Sequence, residues 1–164
     1  MMRFRLDELT RKDLIGGVDK WTKDKSKLIN RAVYLGTTED YTVFFRVPSV
    51  TANPPTNYVV KIQLAEYASI KDEEDLDVRE KVRLALAGDL KISCTCPAYL
   101  YFGYKYILTQ VDANEDKDEH RFPKIRNPKL QGVMCKHCYI AISALPMNWT
   151  SIARDIQNER FLRR

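Results

Sequence analysis

The residues of this chain best suited to chemistry are cysteines and a histidine that occur in two short pairs. Cys94 and Cys96 form one pair, and Cys135 and His137 form the other. Side chains two residues apart on an extended segment lie on the same side, so one ion can bind both thiolates of the first pair. Three thiolates and one imidazole complete the tetrahedral shell of a structural zinc site, with no open position for water. The pattern therefore predicts one structural Zn²⁺.

Two other interpretations of the cysteines are weaker. A disulfide is disfavoured because Cys94 and Cys96 are poorly placed to bridge each other and because a reducing compartment opposes such bonds. Buried free cysteines with a core histidine would explain either pair alone, but they explain both pairs in one short chain less well. Cys138 is expected to point away from the ion because it follows His137 on a helix. His120 is expected to be a solvated residue of an acidic loop.

The elements that must position these pairs form an α+β pattern. Strands are predicted where β-branched and aromatic residues cluster, over 28–35, 41–47, 58–64 and 90–94. Helices are predicted from apolar periodicity and end signals, over 72–88, 97–108, 136–146 and 148–161. A long polar loop is expected over 111–131. The predicted fold is thus a small antiparallel sheet with several helices, pinned by one structural zinc site.

Length and composition predict a single main domain. The 164 residues are 45% apolar and 30% charged, which is ordinary for a globular protein. We divide the chain into a basic N-terminal arm or helix at 1–30 and one α+β domain at 31–164, which contains a zinc module at about 82–145. Because no apolar run reaches the roughly 18 residues of a membrane span, we expect a soluble protein made in a cytoplasm, with no membrane partner.

The order Cys-x-Cys followed by Cys-x-His resembles the SWIM zinc finger, a module of two strands and a helix. The resemblance is carried by Cys94-Thr95-Cys96-Pro97 and by the segment from Gly132 to His137. It implies zinc at Cys94, Cys96, Cys135 and His137. SWIM modules occur in DNA-associated and in protein-binding contexts, so the resemblance does not select one function.

The interval between Cys96 and Cys135 is longer than is usual in the SWIM family. Its segments 97–104 and 123–128 look like those of SWIM-like proteins encoded by large tailed bacteriophages. That likeness implies synthesis in a host cytoplasm and a role as a virion component or as an accessory of DNA metabolism.

We do not expect an enzyme. A closed zinc shell activates no water. The sequence also contains no nucleophile elbow, phosphate-binding glycine loop or HExxH run, so no small-molecule substrate is expected.

The basic residues before the second metal pair are candidate contacts for a partner. The net charge is +5, and a stretch without acids carries Arg121, Lys124, Arg126, Lys129 and Lys136. Nearby aromatic residues would offer stacking faces for DNA, namely Tyr99, Tyr101, Phe102, Tyr104 and Tyr106. Helical spacing favours Tyr99, Phe102 and Tyr106 as core residues instead, and an acidic run at 112–119 would repel phosphate.

Exposed apolar residues of the same loop indicate a protein partner instead. Phe122, Ile125 and Leu130 are the apolar residues expected at its surface. We therefore favour a non-enzymatic structural or assembly module, bound to protein subunits of a larger assembly, over a DNA-binding accessory protein.

Overall fold

The computed structural model describes residues 10–163 and confirms the α+β fold, with a four-stranded antiparallel sheet at its centre. The strands pair in chain order and are β1 Val33–Thr37, β2 Thr42–Pro48, β3 Asn57–Leu64 and β4 Leu90–Cys94. Alternate residues of the two central strands, such as Phe45 and Ile62, are fully buried, as the period of two requires. Three of the predicted strands are confirmed closely, and the first begins later than predicted.

The helices cover one face of this sheet and its ends. They are α1 Arg11–Gly16, α2 Lys20–Ser26, α3 Ala65–Ile70, α4 Val78–Ala87, α5 Pro97–Tyr101, α6 Tyr104–Gln110, α7 Lys136–Ala144 and α8 Trp149–Gln157, with a 3₁₀ turn at Leu145–Asn148. Helix α7 contacts β2, β3 and β4 on one side and α1 and α2 on the other. Ala141 and Ile142 of α7 are fully buried, so this helix lies at the centre of the core.

Helix α4 begins directly after the acidic residues of the segment 72–77. The Asp77 carboxylate accepts the N–H of Glu80, and the Glu80 carboxylate accepts the N–H of Asp77. This reciprocal pair is a capping box. The predicted helix is therefore confirmed, with a later start, and it ends before Gly88.

The single helix predicted over 97–108 is wrong, because Gly103 divides it into α5 and α6. Gly103 has φ +84°, a left-handed conformation that side chains with a Cβ disfavour. A Cβ on Gly103 would also lie 2.4 Å from Cγ of Pro123. The break thus lets the later loop pack directly on the backbone between the two helices.

The last predicted helix also ends early. Helix α8 stops at Gln157, and Glu159 adopts φ 51°, so Phe161 lies beyond the helix. Asn148 does not cap α8 as predicted, since its side chain donates to the carbonyl of Ala144 instead.

The N-terminal part of the chain joins the core. Helices α1 and α2 pack on α7, and Leu14, Val18 and Ile29 are buried. Residues 1–9 of the predicted basic arm lie outside the described residues. Among the described helices, none combines the length and apolarity that crossing a membrane requires.

Candidate metal centre

The two predicted pairs meet where β4, α5 and α7 come together. Cys94 ends β4, Cys96 precedes α5, Cys135 precedes α7, and His137 lies in the first turn of α7. The candidate ligand atoms of these four residues all lie within 4.8 Å of one another, and all four residues are buried. A tetrahedral zinc ion with Zn–S distances of about 2.3 Å needs ligands this close. We call this group the Cys3His cluster.

The first pair is held by the sheet. Cys94 pairs with Val60 of β3. The N–H of Thr95 donates to the carbonyl of Val59 at 3.1 Å, and the N–H of Val59 donates to Oγ1 of Thr95 at 3.0 Å. The strand therefore continues one residue past Cys94, which keeps both sulfurs on the inner side. The N–H of Cys96 donates to Sγ of Cys94 at 3.4 Å, a contact that favours a thiolate.

The second pair uses the start of a helix. Sγ of Cys135 accepts the N–H of Cys138 at 3.5 Å and so caps α7. Burial opposes ionisation of Cys135, but hydrogen bonds from the thiols of Cys138, Cys94 and Cys96 and a contact with His137 outweigh it and hold its pKa well below the ordinary value. The bond to Cys135 conversely raises the pKa of Cys94, and it raises the pKa of Cys96 to about 12. The sulfurs therefore lie close enough to share protons, and a bound cation would displace those protons.

His137 provides an independent test of whether these residues fit a metal. Its side chain is buried, and neither Nδ1 nor Nε2 has a hydrogen-bond partner among the described residues. Its ring packs against Tyr58, with the ring centroids 4.8 Å apart. A buried polar group without a partner costs about 1–3 kcal/mol, and coordination of a metal by one ring nitrogen removes much of that cost. The donor set of three thiolates and one imidazole therefore fits zinc.

Cys138 is not among the four residues whose ligand atoms lie within 4.8 Å of one another, as expected of the spare cysteine. Its thiol does not point away, however, since it is fully buried beside the sulfurs of Cys135 and Cys94. Cys135 is the extended residue before α7, so Cys138, three residues later, returns to the same face. The sequence carries a signal for this contact that the prediction missed, because Cys135 and Cys138 have the Cys-x-x-Cys spacing of many zinc sites. His120 is exposed, as predicted.

None of the four cysteines forms a disulfide, and all four lie within the described residues. This agrees with the preference for a metal over bridges.

Residues 97–134 separate the two ligand pairs, and we call them the insertion. Two buried asparagines organise it, and the sequence prediction of a polar loop missed both. The Asn114 amide donates to Oγ1 of Thr109 and to the carbonyls of Asp116 and Lys117, while the hydroxyl of Tyr99 donates to its oxygen. Asn127 exchanges two hydrogen bonds with the backbone of Gln131, at 2.8 and 3.0 Å. The polar loop is therefore a fixed surface.

The insertion also pairs with the sheet. The N–H of Ile92 donates to the carbonyl of Ala113 at 2.8 Å, and the N–H of Glu115 donates to the carbonyl of Ile92 at 3.2 Å. This short parallel bridge lies along β4. It fixes the middle of the insertion close to the strand that delivers Cys94.

Ion pairs occupy much of the acidic run. Lys91 pairs with Asp112 and Lys105 pairs with Asp116, each at 2.8 Å. Arg121 pairs with Glu119 at 2.6 Å, and this hydrogen bond lowers the pKa of Glu119 to about 2. The acids that were expected to repel phosphate are in large part neutralised by their neighbours.

The five predicted contact residues do not all line one groove. Lys124 and Arg126 line a groove of about 700 Å³ between α5 and the segment 122–126. Arg121 is engaged by Glu119, and the ammonium of Lys136 donates to Oγ1 of Thr51 at 3.4 Å. Lys129 is exposed but does not line this groove. We call the groove between α5 and the segment 122–126 the insertion groove.

Apolar side chains make up most of the insertion groove. Tyr101 is 68% exposed and Ile125 is 90% exposed, and Phe122 lies beside them. Leu130 is exposed outside the groove. The prediction that Phe122, Ile125 and Leu130 reach the surface is therefore confirmed. Tyr99 is buried, as its helical spacing predicted, and Tyr104 is buried as well, so neither ring is available for stacking. Phe102 and Tyr106 are half-buried.

Comparison with known proteins identifies the first half of the metal centre. Residues 73–105 match the family model of the SWIM zinc finger. The match spans α4, β4 and the first cysteine pair, whereas Cys135 and His137 come after it because the insertion intervenes. No curated protein and no solved structure matches the chain significantly, and the implied phage origin gains no support. The chain therefore contains a SWIM zinc finger, a zinc-binding interaction module, whose second ligand pair the fold returns to the first.

Proposed function

We propose that this chain is a non-catalytic, zinc-stabilised interaction module that binds a protein segment of acidic and apolar character in the insertion groove. Such a segment would belong to another subunit of a larger assembly. The observation that carries the proposal is the exposure of Ile125 beside Tyr101. Large apolar side chains that share an exposed concave surface are typical of binding sites rather than of free surface.

The rim of the groove indicates the charge of the partner. Lys124 and Arg126 flank Ile125 in sequence and line the same groove. Neither forms an ion pair with a described residue. A segment that places Asp or Glu beside Leu, Ile or Phe would therefore match both the apolar floor and the basic rim.

The metal centre supplies the rigidity of this surface. Pro97 and Ala98 line the groove directly after Cys96, and Gly103 receives the ring of Pro123 from the opposite wall. The wall formed by Pro97 and Ala98 is thus fixed to the cluster. The opposite wall, which includes Pro123, is fixed to the first wall through Gly103. A preformed groove loses little conformational entropy when a partner binds.

The proposal can be tested by selecting peptides from a random twelve-residue library displayed on yeast, with the zinc-loaded full chain as bait. We expect enrichment of sequences that combine acidic and large apolar residues. Replacing Ile125 and Tyr101 by serine should weaken their binding at least about tenfold, which corresponds to about 1.4 kcal/mol. Fluorescence anisotropy of the synthetic peptides measures this change.

Met147→Ser is the matched control. Met147 is 78% exposed but does not line the groove, so this variant should bind the selected peptides as the unmodified chain does. Peptides that bind the Ile125→Ser, Tyr101→Ser variant equally well would show that the groove is not the docking surface.

Single-stranded nucleic acid is the second candidate ligand. It is favoured by the neutralised acidic run and by Tyr101, whose ring is exposed beside two basic residues. With phosphate contacts from Lys124 and Arg126, the affinity for an oligothymidine probe should fall with salt with a logarithmic slope of about −1.4. Peptide enrichment without oligothymidine binding supports the protein partner, and the reverse result supports the nucleic acid.

A further inference from the structure

We infer that the metal centre has a second complete ligand set, in which Cys138 replaces His137 and four thiolates bind the ion. The chain thus contains five potential ligands for a four-coordinate metal. The inference concerns the metal centre alone and does not depend on the proposed docking in the groove.

The position of Cys138 is the first observation that supports this set. Its side chain is fully buried, and its thiol lies beside the sulfurs of Cys94 and Cys135, just outside the four ligand atoms that lie within 4.8 Å of one another. A group that contacts two sulfurs of a tetrahedral site lies along one edge of the tetrahedron. A small displacement of the ion toward that edge, or a rotation of the thiol, would bring Cys138 into coordination.

Backbone geometry at the start of α7 is the second observation. Cys135 and Cys138 have the spacing of Cys-x-x-Cys, and the N–H of Cys138 donates to Sγ of Cys135 at 3.5 Å. Many structural zinc sites use two cysteines at this spacing. The segment 135–138 therefore contains two overlapping pairs of possible metal ligands, Cys135 with His137 and Cys135 with Cys138.

The weak support of His137 is the third observation. Metal-binding histidines almost always donate their second ring nitrogen to a carboxylate or carbonyl, which fixes the ring. Within residues 10–163, neither nitrogen of His137 has such a partner, and its ring contact is with Tyr58. His137 is therefore held by packing, and it is the ligand that this cluster releases at the lowest cost.

The main test uses His137→Phe, because phenylalanine keeps a ring against Tyr58 but supplies no ligand atom. Loaded with Co²⁺, this variant should still bind one ion and should show the absorption of a four-sulfur site, with stronger thiolate-to-cobalt charge transfer than the unmodified chain. We expect its affinity to fall no more than about 100-fold, the range seen when a partner of a metal ligand is lost.

Two further variants complete the comparison. Cys138→Ala alone should keep the three-sulfur, one-nitrogen cobalt spectrum of the unmodified chain. The double variant His137→Phe, Cys138→Ala should bind Co²⁺ at least another 100-fold more weakly than His137→Phe. If His137→Phe and the double variant have the same affinity and spectrum, Cys138 is not a ligand and the inference is wrong.

A measurement on the natural ligands avoids any effect of the Phe side chain on folding. Cd²⁺ is softer than Zn²⁺ and prefers thiolates, so it should recruit Cys138 in the unmodified chain. The ¹¹³Cd resonance should then shift toward that of a three-sulfur site in Cys138→Ala. An identical ¹¹³Cd resonance in both proteins would show that Cys138 stays outside the coordination shell.

Discussion

Replacing Cys135 by serine is expected to abolish stoichiometric zinc binding and to lower the free energy of unfolding by at least about 4 kcal/mol. Cys135 belongs to both proposed ligand sets, and each of these sets keeps only three ligands without it. Structural zinc contributes about 10–16 kcal/mol of apparent binding free energy, which is part of the folding free energy. For a chain of this size, 4 kcal/mol corresponds to a fall in Tm of about 8–16 °C.

The loss of structure in Cys135→Ser should begin near the metal centre and reach the rest of the fold later. The ion would join the end of β4 to the starts of α5 and α7, while the buried residues around Phe45 and Ile152 lie in the core between sheet and helices. Hydrogen exchange should therefore increase first in residues 94–138 and least in β2 and β3. Elemental analysis and calorimetry measure the metal content and the Tm.

Cys138→Ala is the control for this first prediction. It removes a buried thiol from the same helix but leaves the Cys3His cluster complete, so it should retain one zinc per chain. Chelation of zinc from the unmodified chain should reproduce the Cys135→Ser behaviour. A Cys135→Ser protein with full zinc content and an unchanged Tm would contradict the assignment of this centre.

Gly103→Ala is expected to have the second large effect, a loss of about 2–4 kcal/mol. Alanine at φ +84° costs about 1–2 kcal/mol relative to a right-handed conformation. Its Cβ would lie 2.4 and 2.5 Å from Cγ and Cβ of Pro123, so the ring must move away. We expect the segment 120–128 to detach, and the insertion groove to lose one wall.

Urea denaturation measures the stability change, and hydrogen exchange of residues 120–128 measures the detachment. Gly16→Ala is the matched control, because Gly16 ends a helix and an added Cβ would meet no atom within 4 Å. This control should be neutral or slightly stabilising, by up to about 1 kcal/mol. Equal destabilisation by the two substitutions would exclude the Pro123 contact as the cause.

The metal cluster could be predicted because its ligands occur in two short motifs that are recognisable in the sequence. Cys-x-Cys and Cys-x-His each specify two ligands without knowledge of the fold. Helix α4 was likewise predicted from its local apolar spacing, although the capping box of Asp77 and Glu80, which sets its start at Val78, was missed. The β-branched residues of β2 and β3 indicated strands for the same reason.

The structure of the insertion could not be predicted because it depends on distant contacts. Gly103 breaks a helix that its neighbours favour, and the reason is a proline twenty residues later. Helical spacing placed Tyr99 in the core, but it could not show that the hydroxyl of Tyr99 donates to the buried Asn114. Cys138 was expected to point away because it follows His137 on a helix, but it also lies three residues after Cys135, the extended residue that precedes α7.

The pairing of residues 113–115 with β4 also restricts how this protein could polymerise. An unprotected sheet edge is a template for another chain, and aggregation commonly begins there. The backbone of Ile92 already exchanges hydrogen bonds with Ala113 and Glu115, so a foreign strand would first have to displace them. Fibre growth through this side of the molecule is therefore disfavoured as long as the metal centre keeps both ends of the insertion in place.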